Sequence, residues 1–311
     1  MGLYPRNFNE YIASLGIPRH EDSQVYLVDV DNGVAGRNGK TLETTLDSVE
    51  EAYGLCTTDQ HDVVLMISSD SGNNLAAAID WSKDFTHLVG LSSNLNGVGQ
   101  RCRIVGVAAA DVVYTVDFSG KGCIVRNIKF CNESDADVDS GGVIVSGGRN
   151  EFTNCAFEGM VHATPAARAN GYSLKLTGEE NEFNRCSIGV DTIVRAADNA
   201  ELWVSTGAVR NAFIKCRFLS ASETTTKFLV WVENTDRWLE FEDCVFYNFS
   251  TNWANNLADA FRISCATTHH VILRGKNILV GVDGWADVLT HLYSAEPVPA
   301  GGFGIGTNPT G

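Results

Sequence analysis

The sequence predicts an all-β solenoid, a single-stranded parallel β-helix of about 28–31 residues per turn, on three observations. The first is a phrase that returns four times. It reads Asn150-Glu151-Phe152-Thr153-Asn154-Cys155-Ala156-Phe157, then Asn181 to Ile188, Asn211 to Phe218 and Leu239 to Phe246, with cysteines 31, 30 and 28 residues apart. The second is the spacing inside the phrase. Phe and Cys stand three apart, Cys and the final Phe or Ile two apart, so a strand, a bend and a second strand point all three inward. The third is the punctuation of the rest: short apolar runs broken by Gly, Ser and Asn, with 30 Gly and only 6 Pro.

Residues 1–22 form an arm. Phe8, Tyr11, Ile12 and Leu15 follow helical spacing, and Gly16 and Pro18 end the turn. So short a helix is not stable alone and must lie on its own body or on a partner. Residues 23–284 are the expected β-helix. Gln24–Val30 reads as its first strand and 31–40 as a Gly/Asn loop. Residues 41–53 read as an amphipathic helix carrying Leu42, Leu46, Val49 and Tyr53 on one face. Such a helix covers the open end of a solenoid, where core and unpaired backbone are exposed.

His61–Ser68, Thr86–Gly90, Arg103–Val107 and Asp111–Phe118 are the next strands, and Cys123–Phe130 opens the repeat with Ile128 in the cysteine slot. Gly142–Ser146, Tyr172–Thr177, Lys227–Val232 and Ala260–Ser264 supply one further strand per turn. The last turn reads as His270–Leu279, with Ile272 at the Phe position and Gly275 at the Cys position. Like residues then stack: a Phe ladder, a Cys ladder, a second aromatic and aliphatic ladder, and an amide ladder of Asn150, Asn181 and Asn211. Seven or eight turns at about 4.8 Å give a rod of roughly 35–40 Å. Residues 285–311 are the expected cap and tail. Trp285–Tyr293 reads as a helical turn or irregular cap, and 294–311 is rich in Pro and Gly, with Val298, Phe303 and Ile305 as its apolar grips.

A net charge of −15 argues against non-specific nucleic-acid binding, which needs Lys and Arg along a face. Nine cysteines without zinc spacing read as reduced core thiols, which implies folding in a reducing cytosol. Residues 1–15 are polar and lack the apolar core of a signal peptide. No stretch approaches the ~18 apolar residues of a membrane span.

The segment Val25-Tyr26-Leu27-Val28-Asp29-Val30-Asp31-Asn32-Gly33, with Gly36, Gly39-Lys40-Thr41, Leu46 to Ala52 and Asp62 to Met66, resembles the opening of right-handed parallel β-helix proteins of the pectin-lyase-like type. The later Asn-x-Phe-x-x-Cys-x-Phe turns are similar in style, and the resemblance covers about residues 24–280. It implies a right-handed coil. It also implies the settings in which bacteriophage virions use this fold: tailspikes, adhesins and head-decoration proteins.

Catalysis finds little support in the residues. Asn234-Thr235-Asp236 matches one element of the galacturonan-hydrolase pattern, but the other elements are absent and the triplet suits a turn. Asp135, Asp137 and Asp139 alternate as at the start of a calcium loop. Ser140 and Ser146, however, replace the Gly and the bidentate Glu such a loop needs, and a solvated acidic loop is favoured. His269-His270 face opposite sides of a strand. Trp81, Trp203, Trp231, Trp238, Trp253 and Trp285 are candidates for sugar stacking, core or subunit contact.

The expectation is therefore a non-enzymatic virion protein without cofactor, folded in the host cytoplasm and bound to neither nucleic acid nor membrane. It would decorate a capsid and dock on major capsid or other virion proteins, and on sister subunits with a trimer favoured, through Tyr4, Phe8, Tyr11, Ile12, Leu15, Val298, Phe303 and Ile305. The alternative is a tailspike-like receptor-binding protein that binds or cleaves host glycan, and the third reading is a free polysaccharide lyase or hydrolase, against which the missing catalytic set counts.

Overall fold

The computed structural model describes residues 8–92, 101–135, 140–222, 227–233, 236–250, 257–264 and 270–294, and the side chains from residue 10 on. Its strands fall into three parallel sheets of ten, eight and eight strands, here A, B and C. Val25–Val28 and Val63–Ile67 both lie in A and pair with each other; from there the chain visits A, B, C and repeats, so each strand pairs with the third strand after it. That is a parallel β-helix. Ten strands at roughly 4.8 Å make sheet A about 43 Å long.

The repeated phrase is the corner from A to B. Phe152, Phe183, Phe213 and Phe241 point inward from sheet A and stack with centroids 4.8, 4.7 and 5.1 Å apart. The next bend is made by one residue in the left-handed region: Asn127, Asn154, Arg185, Lys215, Asp243 and Gly275, with φ between 53° and 63°. That bend turns the following cysteine inward. Cys155, Cys186, Cys216 and Cys244 are buried, and the last three thiols donate to the carbonyls of Phe152, Phe183 and Phe213 one turn earlier, at 3.4, 3.2 and 3.4 Å. Burial holds the Cys155, Cys186 and Cys216 thiols well above their ordinary range. At the C to A corner the amide ladder forms as expected. Asn181 Oδ1 accepts from the Asn150 backbone at 3.0 Å, and Asn211 Oδ1 from that of Asn181 at 2.9 Å.

The helix expected over 41–53 is shorter and later. Leu42–Thr44 is a 3₁₀ turn, and the α-helix runs Val49–Leu55. Thr45 is extended and breaks the run, and Ser48 stands at the N-cap with Glu50 and Glu51 in the first turn. The rod ties this helix at both ends. Asn73 Oδ1 accepts from Val49 N at 2.8 Å, and Lys83 Nζ donates to the carbonyls of Tyr53, Gly54 and Cys56. Tyr53 stacks on Trp81 at 4.2 Å, which closes the core.

Two assignments near the far end differ from expectation. Leu273, not Ile272, pairs with Phe241 and takes the Phe position, and Gly275 takes the bend position of Asp243 rather than the Cys slot. Within Trp285–Tyr293 the structure has a 3₁₀ turn, Leu289–His291, set between two strands: Val282–Ala286 extends sheet C and Leu292–Ser294 extends sheet A.

Candidate functional site

The arm comes first. The helix Phe8–Ser14 lies on the outer face of sheet A over the first turns of its own rod. Ile12 is 0 % exposed and packs with Ile17 on Leu27, Val63, Leu65 and Val89, while Tyr11 and Leu15 flank them. Arg126 donates to the Leu15 carbonyl, and Arg19 donates to the carbonyls of Ser23, Gln24 and His61. Tyr11, Ile12 and Leu15 thus pack on their own rod, one of the two placements expected for so short a helix. The reason is that the outward residues of sheet A are aliphatic at this end and need a cover. Tyr4, the Phe8 side chain, Val298, Phe303 and Ile305 lie outside the described residues.

The outer face of sheet C holds the second surface. Strict register stacks Asp80, Asp117, Ile144, Lys175, Trp203, Trp231 and Arg262 in one outward column. Trp203 and Trp231 stack at 4.9 Å with planes 5° apart. Lys175 Nζ sits 3.8 Å from the Trp203 centroid, and the Arg262 guanidinium 4.7 Å from that of Trp231. The four side chains close one another's faces, so neither indole has a free face for a sugar ring. Trp81 and Trp285 are buried, and Trp253 lies outside the described residues.

Next to this column, where the strands leave sheet C, a cleft of about 360 Å³ is lined by Ser119, Lys121, Ser146, Arg149, Thr177 and Glu179. Ser119 donates to Asp80, and Ser146 Oγ to Asp117 at 2.7 Å. Burial raises the Asp117 carboxyl above its ordinary range, and Asp80 beside it adds to the rise. This arrangement offers hydroxyls, carboxylates and cations to a polyhydroxyl ligand. Sequence reading missed it because Ile79–Asp80 is a two-residue strand, too short to show alternation.

Under the corner from B to C lies a buried ion pair. Arg195 and Glu201 are each 1 % exposed at the side chain, with Nε and Oε1 3.5 Å apart. Glu201 Oε2 accepts from Ser173 at 2.6 Å, and Arg195 donates to Asn199, Ser220 and the Phe228 carbonyl. Burial outweighs the pull of Arg195 and raises the Glu201 carboxyl to about 7. The pair pins residues 195–199 to the rod.

The third surface is on sheet B. One outward column begins with Arg103 and Lys129, the other with Val105, Cys131 and Glu158, and Lys129 pairs with Glu158 at 2.8 Å. They end apolar, with Leu219, Val245, Tyr247, Phe249, Ile278 and Val280. Phe249, Ile278 and Val280 are 45, 50 and 39 % exposed.

Among the described residues no three His, Cys, Asp or Glu side chains converge as a metal site. Asp135 is exposed, and Asp137 and Asp139 lie outside the described residues. Asp236 is exposed, while Asn234 and Thr235 also lie outside. His270 is exposed and stands edge-on to Tyr293 at 4.9 Å, and His269 is outside. No helix among the described residues is long and apolar enough to cross a membrane.

No family model and no curated protein matches the sequence. Solved structures do match in fold. Pectin methylesterase PemA from Erwinia chrysanthemi aligns with a TM-score of 0.53 and 15% identity over 84% of this chain and 80% of that one. Pectate lyase Pel9A aligns at 0.53 and 14% over 85% and 64%. The pectin methylesterase from Aspergillus niger aligns at 0.50 and 14% over 90% and 92%. These likenesses carry the fold alone: a right-handed parallel β-helix of the pectin-lyase-like type.

Proposed function

We propose that this chain is a non-enzymatic structural protein of a bacteriophage virion, a capsid decoration rod that docks by its far end. The observation that carries the reading is the exposed apolar group of Phe249, Ile278 and Val280 in the last turns of sheet B. An exposed apolar group on an acidic rod suits attachment. The tail residues Val298, Phe303 and Ile305 follow directly, and repeated weak contacts on one rigid body gain through effective concentration. The eight buried free thiols among the described residues fit a chain that folds in a reducing cytosol before assembly.

Cryo-microscopy of purified particles tests this. The expected result is density for the rod at many symmetric capsid positions, with hundreds of copies and contacts at its far end. Density at the tail alone would reject decoration.

A second reading is a tailspike-like protein that binds or cleaves host glycan. It draws on the Asp80–Asp117 neighbours and the hydroxyl-lined cleft beside them. Depolymerisation of host glycan by the pure protein, lost in Asp80→Asn and Asp117→Asn, would establish it and displace the first.

A further inference from the structure

We infer that His61 and His87 form a proton-operated latch on the N-terminal arm: while both rings are neutral the arm stays on the rod, and acid releases it. The hydrogen bonds fix the proton on each ring. The Ile124 backbone N–H donates to His87 Nδ1 at 3.0 Å, so the proton of the neutral ring sits on Nε2. His87 Nε2 lies 3.0 Å from His61 Nδ1 and donates to it. His61 therefore carries its own proton on Nε2. Both acceptor nitrogens are in use. A further proton on either ring would meet an N–H already aimed at it, so its uptake breaks this chain.

The rings lie among the groups that hold the arm. His87 is fully buried on the outer face of sheet A. His61 is half-buried just before Val63, with the Phe85 ring 5.2 Å away. The charge of Arg19 bears on both rings, and that of Arg126 on His87. The same two arginines secure the arm. Arg19 donates to the carbonyls of Ser23, Gln24 and His61, and Arg126 to that of Leu15. An imidazolium here is one more cation beside them. His20, itself next to Asp22, adds to the repulsion on His61. The carboxylates offset it only in part. Asp59 favours a charged His61, but Asp62 is engaged by the N–H groups of Gln24 and Thr57 at 2.6 and 2.7 Å, and Glu151 by Arg126 at 2.8 Å.

Burial and the neighbouring cations lower His87 to about 3 and also lower His61. Both rings thus bind a proton more weakly under the docked arm than in the open chain. Docking is complete above the ordinary histidine value of about 6.5 and weakens as pH falls below it. At pH 5 a ring that is neutral when docked and ordinary when released shifts the balance about 30-fold toward release. Release bares the aliphatic outer face of sheet A at Leu27, Val63, Leu65 and Val89. The latch belongs to the isolated chain and does not rest on the virion reading.

The test is hydrogen exchange of the full-length protein at pH 7.5 and pH 5, read as protection factors corrected for the intrinsic effect of pH. The expected result is a fall of about 30-fold over residues 8–17 at pH 5, with the sheet C strands unchanged. Equal protection of the arm at both pH values would overturn the inference. The His61→Asn variant separates the latch from general loosening in acid. Asn puts an acceptor oxygen where Nδ1 stands, accepts the φ of 55° at this position and takes up no proton. Its fall at pH 5 should be several-fold smaller than the parent's, and an equal fall would overturn the inference. Nitrogen-15 spectra of the imidazoles give a reading that needs no substitution. Both rings should be neutral at pH 7.5 with the proton on Nε2. A cationic His61 in a chain whose arm is still protected at pH 5 would also overturn it.

Discussion

At the scale of single residues, the coil depends on two positions per turn. The first is the stacked ring. Phe183 lies between Phe152 and Phe213, fully buried, so Phe183→Ala should cost about 3–5 kcal/mol in urea unfolding. The second is the left-handed bend. Arg185 has φ 53° and donates its N–H to the Ile214 carbonyl at 2.8 Å. Glycine takes that conformation freely and a β-branched residue does not. Arg185→Gly should be near neutral and Arg185→Val should lose about 1–2 kcal/mol. The inward ring and cysteine were legible in the sequence, because their spacing of three and two admits few geometries. The bend residue was not. Asn, Arg, Lys, Asp and Gly share no side-chain chemistry there, only a backbone angle.

At the scale of elements, the two helices and the pinned corner separate what pattern reveals from what it hides. The apolar period of Phe8, Tyr11, Ile12 and Leu15 was legible. Its docking place was not, since a short stripe fits any apolar surface. Ile12→Asp should release the helix and leave the rod intact. Hydrogen exchange would speed up over residues 8–17 while the sheet C strands stay protected. The start of the second helix was misread because Leu42 and Leu46 keep helical spacing across Thr44 and Thr45, where the backbone becomes extended.

The corner at 195–199 carries a pH signature. The Glu201 carboxyl titrates near 7 in the folded chain and lower when unfolded. Its contribution to stability is therefore complete below its ordinary range and is lost as pH rises through about 7. Glu201→Gln should accordingly be least costly at high pH. The gap between its urea midpoint and that of the parent should narrow from pH 5 to pH 8.

At the scale of the whole molecule, a period near 30 residues fixed the architecture, and the contacts follow it. Among the described residues seven cysteines, Cys56, Cys102, Cys123, Cys155, Cys186, Cys216 and Cys244, are buried along one continuous core. A thiol reagent should leave those seven unmodified in the native chain and label them together when the rod opens. Stepwise labelling would show that the turns unfold separately. The lateral faces were much less legible. The column from Asp80 to Arg262 and the apolar end of sheet B join residues about 30 apart, and only the register of each turn brings them side by side. That register was misassigned in the last turn, where Gly275 resembles neither Cys nor Phe.

The amide ladder makes the turns interchangeable units of length. Glu180 and Arg210 occupy the same left-handed corner position, each just before a ladder asparagine. Excising residues 181–210 would join Glu180 to Asn211 at equivalent points. Phe152 would then meet Phe213, Cys155 would meet Cys216, and the rod would be shorter by about 4.8 Å. Duplicating the same stretch would lengthen it by as much. A lineage carrying this fold could therefore adjust its reach in whole steps through recombination, without redesigning either end.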